Sequence, residues 1–397
     1  MLITMKFGGT SMGSASAIDQ VAAIICQQRA DGDQVLAVVS AMSGTTDSLL
    51  NAAQAAVRGD TAAHLNTIEM MRVRHISTAQ TLITDSAELA AVSGDIEALL
   101  TDLTALCHSL DVLREATPRA MDRVASFGER LSARLLAARL RQLGVESTAI
   151  DATEVIVTDD NFQDASPLMD ETRSKVQAHL IPMLSRSAVP VVTGFVGATR
   201  DGLTTTLGRG GSDFSGAILG AAVDTDQLWI YTDVDGVMTT DPRLVKEARV
   251  LPVLSYAEVG ELAYFGAKVL HPKTVQPIVD RGVPLRVRNT FNPTHMGTLV
   301  QPNSEIAPGV IKAITIVKDV QMLSVEGRGM IGVPGIAGRT FMATARANAN
   351  ILMFLQASSE QSFCFVLPSS RTPAALESIR EELHAEIARR DVERVWV

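Results

Sequence analysis

Gly208-Arg209-Gly210-Gly211-Ser212-Asp213 stands between a short β-branched run and a small-residue helix. Upstream, Val189-Pro190-Val191-Val192-Thr193-Gly194-Phe195-Val196-Gly197 reads as a buried strand that ends on glycine. Downstream, Phe214-Ser215-Gly216-Ala217-Ile218-Leu219-Gly220-Ala221-Ala222 reads as a helix with Ser212 or Asp213 near its start. Glycines let backbone N–H groups close on an anion, and a helix N-terminus adds partial positive charge. Arg209 supplies a fork for a carboxylate or a phosphate. Alone, the loop is equally a tight turn.

A second loop of this kind opens the chain. Met1-Leu2-Ile3-Thr4-Met5-Lys6-Phe7 is an apolar strand with one cation, followed by Gly8-Gly9-Thr10-Ser11 and then by helical spacing from about Ser16. The lysine precedes the glycines, which excludes the Walker order. Read in isolation, this is a phosphate cradle or a β-turn with a snorkelling lysine. Further short buried runs at Leu36–Ser40, Ser147–Asp151, Leu228–Thr232 and Leu285–Arg288 alternate with helical patterns. The alternation predicts an α/β fold with a largely parallel sheet between helices. From Thr61 to Pro118 one glycine and no internal proline predict a helical excursion of structural or subunit-contact role. Glu129–Leu143 is a further helix, with a buried stripe at Leu131, Leu135, Leu136 and Leu140.

The chain has 397 residues and a formal net charge of −9, an acidic balance that argues against a nucleic-acid partner. Cys26, Cys107 and Cys364 are odd in number and scattered, which suits reduced thiols in a cytoplasmic protein. The first residues read as a strand rather than a signal peptide, and no apolar run reaches membrane-spanning length.

Two more motifs follow in order: Leu228-Trp229-Ile230-Tyr231-Thr232-Asp233-Val234-Asp235-Gly236-Val237 with Thr239-Thr240-Asp241-Pro242-Arg243, then Phe265-Gly266-Ala267-Lys268-Val269-Leu270-His271-Pro272. Val38-Val39-Ser40-Ala41-Met42-Ser43-Gly44-Thr45-Thr46-Asp47 and Phe127-Gly128-Glu129-Arg130-Leu131-Ser132 complete the set. In this combination the chain resembles an aspartate kinase of the amino acid kinase family, with residues 1–300 as the catalytic domain.

The resemblance implies ATP and L-aspartate as substrates, with Mg²⁺ riding on the phosphates and its protein ligands unknown. It places Lys6 on the transferring phosphoryl group and Gly8, Gly9, Thr10 and Ser11 around phosphate oxygens. Ser40 and Thr46 would flank the reacting carboxylate. Glu129 and Asp213 would meet the α-ammonium, Arg209 would fork onto the α-carboxylate, and Ser212 would be a further substrate-binding residue. Thr232, Asp233, Arg243 and Lys268 would line the nucleotide side. Read without the resemblance, Glu129 is an acid favoured at a helix start, Asp233 and Asp235 are turn acids, and His271 is a loop histidine. Met238 departs from the family, which often carries an aromatic in that turn.

Residues 301–310 read as a linker by their Pro, Gly and polar content. Beyond it, strands at Ile311–Val317 and Val320–Glu326 precede a glycine-rich loop, a helix from Arg339, strands at Ile351–Ala357 and Phe363–Leu367, and a helix at Thr372–Arg389. This βαββα order over residues 311–397 resembles an ACT domain, a module that binds amino acids. The resemblance implies feedback control, with threonine as first effector and lysine as second. Gly327, Gly329 and Met330 would seat a carboxylate, and Ser358, Ser359 and Glu360 would take the ammonium and side chain. Asp391–Val397 reads as one strand of a second ACT unit left incomplete, so the expectation is a truncated piece of a longer polypeptide, most like the kinase portion of a bifunctional aspartokinase/homoserine dehydrogenase. A homodimer or higher homo-oligomer is expected. The competing expectations are a catalytically weak amino-acid sensor and another kinase of the same family.

Overall fold

Alternation along the first strand, β1 (Leu2–Phe7), sets the layers of the molecule. Ile3, Met5 and Phe7 are fully buried in one helical layer, and Thr4 and Lys6 face the other. The computed structural model describes residues 1–264, 270, 272–303 and 311–397. They form two compact units, residues 1–315 and 316–397.

In the first unit, β1 is followed by α1 (Ala15–Ala30), β2 (Gln34–Val39), α2 (Thr45–Arg58), α3 (Thr61–Leu82), α4 (Ser86–Leu113), α5 (Pro118–Ala125), α6 (Phe127–Gln142) and β3 (Ser147–Ile150). Next come α7 (Met169–His179), α8 (Ile181–Ser185), β4 (Val189–Thr193), the hairpin β5 (Val196–Ala198) and β6 (Thr204–Thr206), α9 (Gly211–Ala222) and β7 (Gln227–Thr232). The unit ends with β8 (Val253–Ser255), α10 (Tyr256–Tyr264), α11 (Pro272–Val279), β9 (Leu285–Asn289) and β10 (Thr298–Gln301). The main sheet runs β3-β4-β2-β1-β7-β9-β10-β8, parallel throughout except between β9 and β10. From β1 the chain passes to β2 beside it, crosses to the edge strand β3 and returns to β4 between them, and then adds β7 and β9 on the other side of β1. A switch of this kind opens a crevice at the carboxyl ends of the strands.

Small residues bring α9 down onto the sheet. A Cβ on Gly216 would lie 3.2 Å from the Lys6 Cβ, and one on Gly220 3.2 Å from the Thr225 methyl. The helical excursion is α3 and α4, capped by Asp60 and Asp85, whose carboxylates accept the N–H groups of Ala63 and Glu88. Two histidines the sequence left unassigned, His64 and His75, are buried inside α3.

The second unit comprises β11 (Val320–Glu326), α12 (Ile336–Arg346), β12 (Met353–Gln356), β13 (Ser362–Pro368), α13 (Thr372–Glu382), α14 (His384–Ala388) and β14 (Arg394–Trp396), in the sheet order β12-β13-β11-β14. Two expectations are corrected here. Ile311–Val317 forms no strand; its apolar residues are largely exposed, and the Ile314 N–H donates to the Thr239 carbonyl rather than to a ladder. The terminal strand belongs to no second ACT unit. It pairs antiparallel with β11, Ser324 against Trp396 and Glu326 against Arg394, and so completes the sheet of the ACT unit already formed. Val392 and Val395 are buried there, and the Glu326 carboxylate accepts from Arg394 Nε and Trp396 Nε1. No helix among the described residues is long and apolar enough to cross a membrane.

Candidate active site

The crevice above β1 and β2 holds a cleft of about 410 Å³, lined by Lys6, Gly9, residues 40–44, Thr46, Asp47, Glu129, Phe195 and residues 208–213. Eight of the sequence-predicted residues thus meet in one place: Lys6, Gly9, Ser40, Thr46, Glu129, Arg209, Ser212 and Asp213. A pocket of this size suits a small substrate carrying few but well-placed polar groups.

Lys6 comes from the end of β1 and Asp213 from the first turn of α9. Their charged ends are 2.6 Å apart, with both side chains largely withdrawn from water. Glu129, in the first turn of α6, is only 3% exposed. Burial pushes its carboxyl up to about 8, opposed by the backbone N–H groups of Ala41 and Glu129 itself and by the Lys6 charge. Its Oε2 atom has no hydrogen-bond partner among the described residues. A buried, unpartnered carboxyl oxygen beside a cleft is placed to accept a hydrogen bond from a polar ligand. Arg209, by contrast, is exposed and forms no ion pair among the described residues. It stands at the left-handed Gly208–Gly210 turn with its fork free.

The loop after β1 is folded tightly. The Gly8 N–H donates to the Tyr231 carbonyl at 3.1 Å, and the Met12 and Gly13 N–H groups turn back to carbonyls of residues 8–10. Ser11 is fully buried, with its hydroxyl 2.7 Å from that of Thr290. Its side chain therefore joins this loop to the end of β9 and does not line the cleft. Gly8 likewise has its donor engaged, and of residues 8–11 Gly9 is the one that lines the cleft.

Thr232, Asp233 and Arg243 do not line the cleft. Thr232 ends β7, next to β1, and its hydroxyl donates to the carboxylate of Asp233, which follows the strand. Arg243 is exposed and forks onto Asp241 through Nε and Nη2 at 2.9 and 2.8 Å. Lys268 and His271 lie outside the described residues. Asp235, read from the sequence as a turn acid, accepts from the amides of Asn289 and Asn292 at 2.8 and 3.1 Å, which fixes the turn after β7. Those two asparagines, Phe195, Ser43 and Asp47 were not singled out for roles from sequence. Phe195 has a signal only in hindsight: it sits at φ +69°, packs on Gly211 and donates its N–H to the Ser215 hydroxyl.

The second unit has its own cavity, of about 330 Å³, formed by Met330, Gly332, Val333, Pro334, the start of α12, Gln356, Glu360 and Phe363. Met330 and Glu360 reach it as expected, while Gly327, Gly329, Ser358 and Ser359 do not. A Cβ on Gly327 would meet the Asp391 carbonyl at 2.2 Å, and one on Gly329 the Asp391 Cα at 2.4 Å. These two glycines admit the segment leading into β14. Glu360, at φ +57°, is itself engaged, its carboxylate accepting the Gly332 N–H at 2.9 Å.

Residues 1–289 match the amino acid kinase family, and residues 323–383 match an ACT domain. The chain is 35% identical over 390 residues to the Arabidopsis thaliana chloroplastic bifunctional aspartokinase/homoserine dehydrogenase 1, covering 96% of this chain and 42% of that relative. It therefore spans about two fifths of the bifunctional relatives. It is also 35% identical over 387 residues to Arabidopsis thaliana chloroplastic aspartokinase 3, covering 96% and 66% of the two chains. Among solved structures, E. coli aspartokinase III in complex with lysine and aspartate superposes with a TM-score of 0.79 at 30% identity, covering all of this chain and 84% of that one. The same enzyme in complex with aspartate and ADP gives 0.77 at 29% identity, covering all of this chain and 85% of that one.

Proposed function

The chain belongs to the amino acid kinase family, and within it to the aspartokinases; on that premise we propose that it transfers the γ-phosphoryl group of ATP to the side-chain carboxylate of L-aspartate. A carboxylate oxygen attacks the γ-phosphorus, the bond to the β–γ bridging oxygen breaks, and 4-phospho-L-aspartate and ADP leave. With a reference pKa of about 4 the acceptor is already ionised, so no general base is needed. What the reaction needs is relief of anion–anion repulsion and alignment of the reacting atoms.

The observation that carries this reading is the juxtaposition, in one cleft, of Lys6, Arg209, Asp213 and the unpartnered Glu129. A zwitterionic amino acid needs both signs of charge at fixed separation. Glu129 and Asp213 take the α-ammonium, and Arg209 with Ser212 takes the α-carboxylate. Ser40 and Thr46 flank the reacting carboxylate, and Lys6 neutralises charge on the phosphoryl group. Gly9 and Thr10 hold phosphate oxygens, with Gly8 and Ser11 anchoring the loop behind them through Tyr231 and Thr290; Thr232, Asp233, Arg243 and Lys268 belong to the nucleotide side. Mg²⁺ is assigned to the nucleotide phosphates, where it would offset their charge.

In this reading the reaction is the first step towards lysine, threonine and methionine in the cytoplasm, carried out by a homo-oligomer. Feedback acts through the cavity at the start of α12, with threonine the first effector and lysine the second. The E. coli enzyme crystallised with lysine supports an amino-acid effector. A sensor without catalysis is the competing reading, and the retention of Lys6 and Arg209 in one cleft weighs against it. ADP release that depends on aspartate decides between them: release with aspartate but not with glutamate or UMP is expected. No aspartate-dependent release would overturn the proposal.

A further inference from the structure

We propose that Arg74, on α3 and outside the cleft lining, is a positioning residue that clamps the two loops between which phosphoryl transfer takes place. Arg74 Nη2 donates to the Gly13 carbonyl at 3.0 Å, and Nη1 donates to the Ser43 carbonyl at 2.8 Å and reaches the Thr45 hydroxyl at 3.5 Å. Gly13 belongs to the loop after β1, and Ser43 to the loop after β2. Both loops also present residues to the cleft, Gly9 from the first and residues 40–44 from the second. They touch each other as well, since a Cβ on Gly13 would lie 3.2 Å from the Ser43 Oγ.

The hydrogen bonds of the Arg74 guanidinium go to two carbonyls and a hydroxyl, and it forms no ion pair among the described residues. Its charge is met by carbonyl dipoles, and its planar fork spans two carbonyls at a fixed separation, which a lysine ammonium cannot do. The base of the clamp is rigid: Met71, His75, Thr78 and Ala79 around it on α3 are buried, and the His75 Nδ1 bonds the Met71 carbonyl at 2.7 Å. The helical excursion thereby acquires a task at the site. The inference rests on the aspartate kinase reading in one respect. The first loop is taken to hold the donor phosphates and the second the acceptor carboxylate, so their spacing sets the reacting distance. A misplacement of about 1 Å costs on the order of a hundredfold in rate.

The test compares the wild-type chain with Arg74→Gln and Arg74→Lys by amide hydrogen exchange and by steady-state kinetics. Arg74→Gln should raise exchange at residues 9–14 and 41–46 together, leave α3 and α4 protected, and lower kcat roughly tenfold to a hundredfold. KM for aspartate and ATP should move less than about threefold. Arg74→Lys should keep the melting temperature yet recover only one loop's protection. Exchange unchanged in both loops, exchange raised equally through α3 and α4, or an effect on KM alone would each overturn the clamp. If the wild-type chain fails to turn over aspartate, the kinase reading falls while the exchange result still decides whether Arg74 holds the loops.

Discussion

Lys6 Nζ lies 2.6 Å from Asp213 Oδ1, so the cation at the end of β1 and the acid at the start of α9 neutralise one another across the cleft. On the proposed assignment, a phosphate that draws Lys6 away would free Asp213 for an ammonium and so would couple the nucleotide and amino-acid ends of the site. Lys6→Met should remove about 3 kcal/mol of transition-state stabilisation, roughly a hundredfold in kcat/KM. Asp213→Asn should act mainly on KM for aspartate. The two losses should combine with a coupling of about 1 kcal/mol or more, as expected of groups in contact. Additive losses in the double-mutant cycle, measured by ADP release, would show that the pair is not a working unit.

Glu129 sets the pH response. Its carboxyl, raised from 4.5 to about 8 chiefly by burial, stays protonated in the free protein near neutrality. The folded form binds the proton more tightly than the unfolded chain, so this group's contribution to stability is complete below about 4.5 and is lost as pH rises towards 8. An α-ammonium arriving at Oε2 favours the ionised form. Aspartate binding at pH 7 should therefore release up to about one proton, and the affinity should improve between pH 6.5 and 8.5. Calorimetry in two buffers of different ionisation enthalpy reads this directly. Glu129→Gln should abolish the release, and identical heats in both buffers for the wild type would refute the assignment.

Arg209 offers a cleaner separation of binding from folding. It is exposed and forms no ion pair among the described residues, so Arg209→Ala should change stability by no more than about 0.5 kcal/mol. Loss of the fork should raise KM for aspartate about tenfold or more, with KM for ATP within about twofold. Equal effects on the two substrates would place Arg209 on the phosphates instead.

What the sequence made legible was local. A lone lysine in an apolar strand followed by Gly-Gly, and a glycine loop ahead of a small-residue helix, each announce a site because the signal lies within a dozen residues. Long-range partnerships leave no such trace. The Ser11 hydroxyl follows Gly-Gly in the sequence as if free, yet its partner Thr290 lies 279 positions away. Arg74 reads as one more polar residue on a long helix, and only the packing of α3 against the loops gives it a task. Gly327 and Gly329 read from the sequence as a carboxylate seat, whereas in the fold they make room for Asp391, a partner more than sixty residues away that no local pattern announces. The apolar run at 311–317 imitates a strand because alternation is necessary for pairing but does not supply a partner.

The last expectation concerns the ACT unit. Its cavity has the positive end of α12, preceded by Gly335 at φ +93°, on one side, with Gln356 and Phe363 among its other lining residues. A carboxylate seats at such a helix start, and Gln356 is a neutral polar group suited to a hydroxyl or an ammonium. Glu360 is engaged with the Gly332 N–H, so an effector ammonium must either share that carboxylate or displace the loop. Threonine should bind first in a titration series and lysine second, with inhibition of ADP release following binding. Ala337 lines the cavity without contributing a polar group, so Ala337→Phe should fill the space, abolish effector binding and leave uninhibited turnover within about twofold. Glu360→Ala should instead weaken binding and loosen the Gly332 turn. Effector binding that survives Ala337→Phe with unchanged affinity would move the regulatory site out of this cavity.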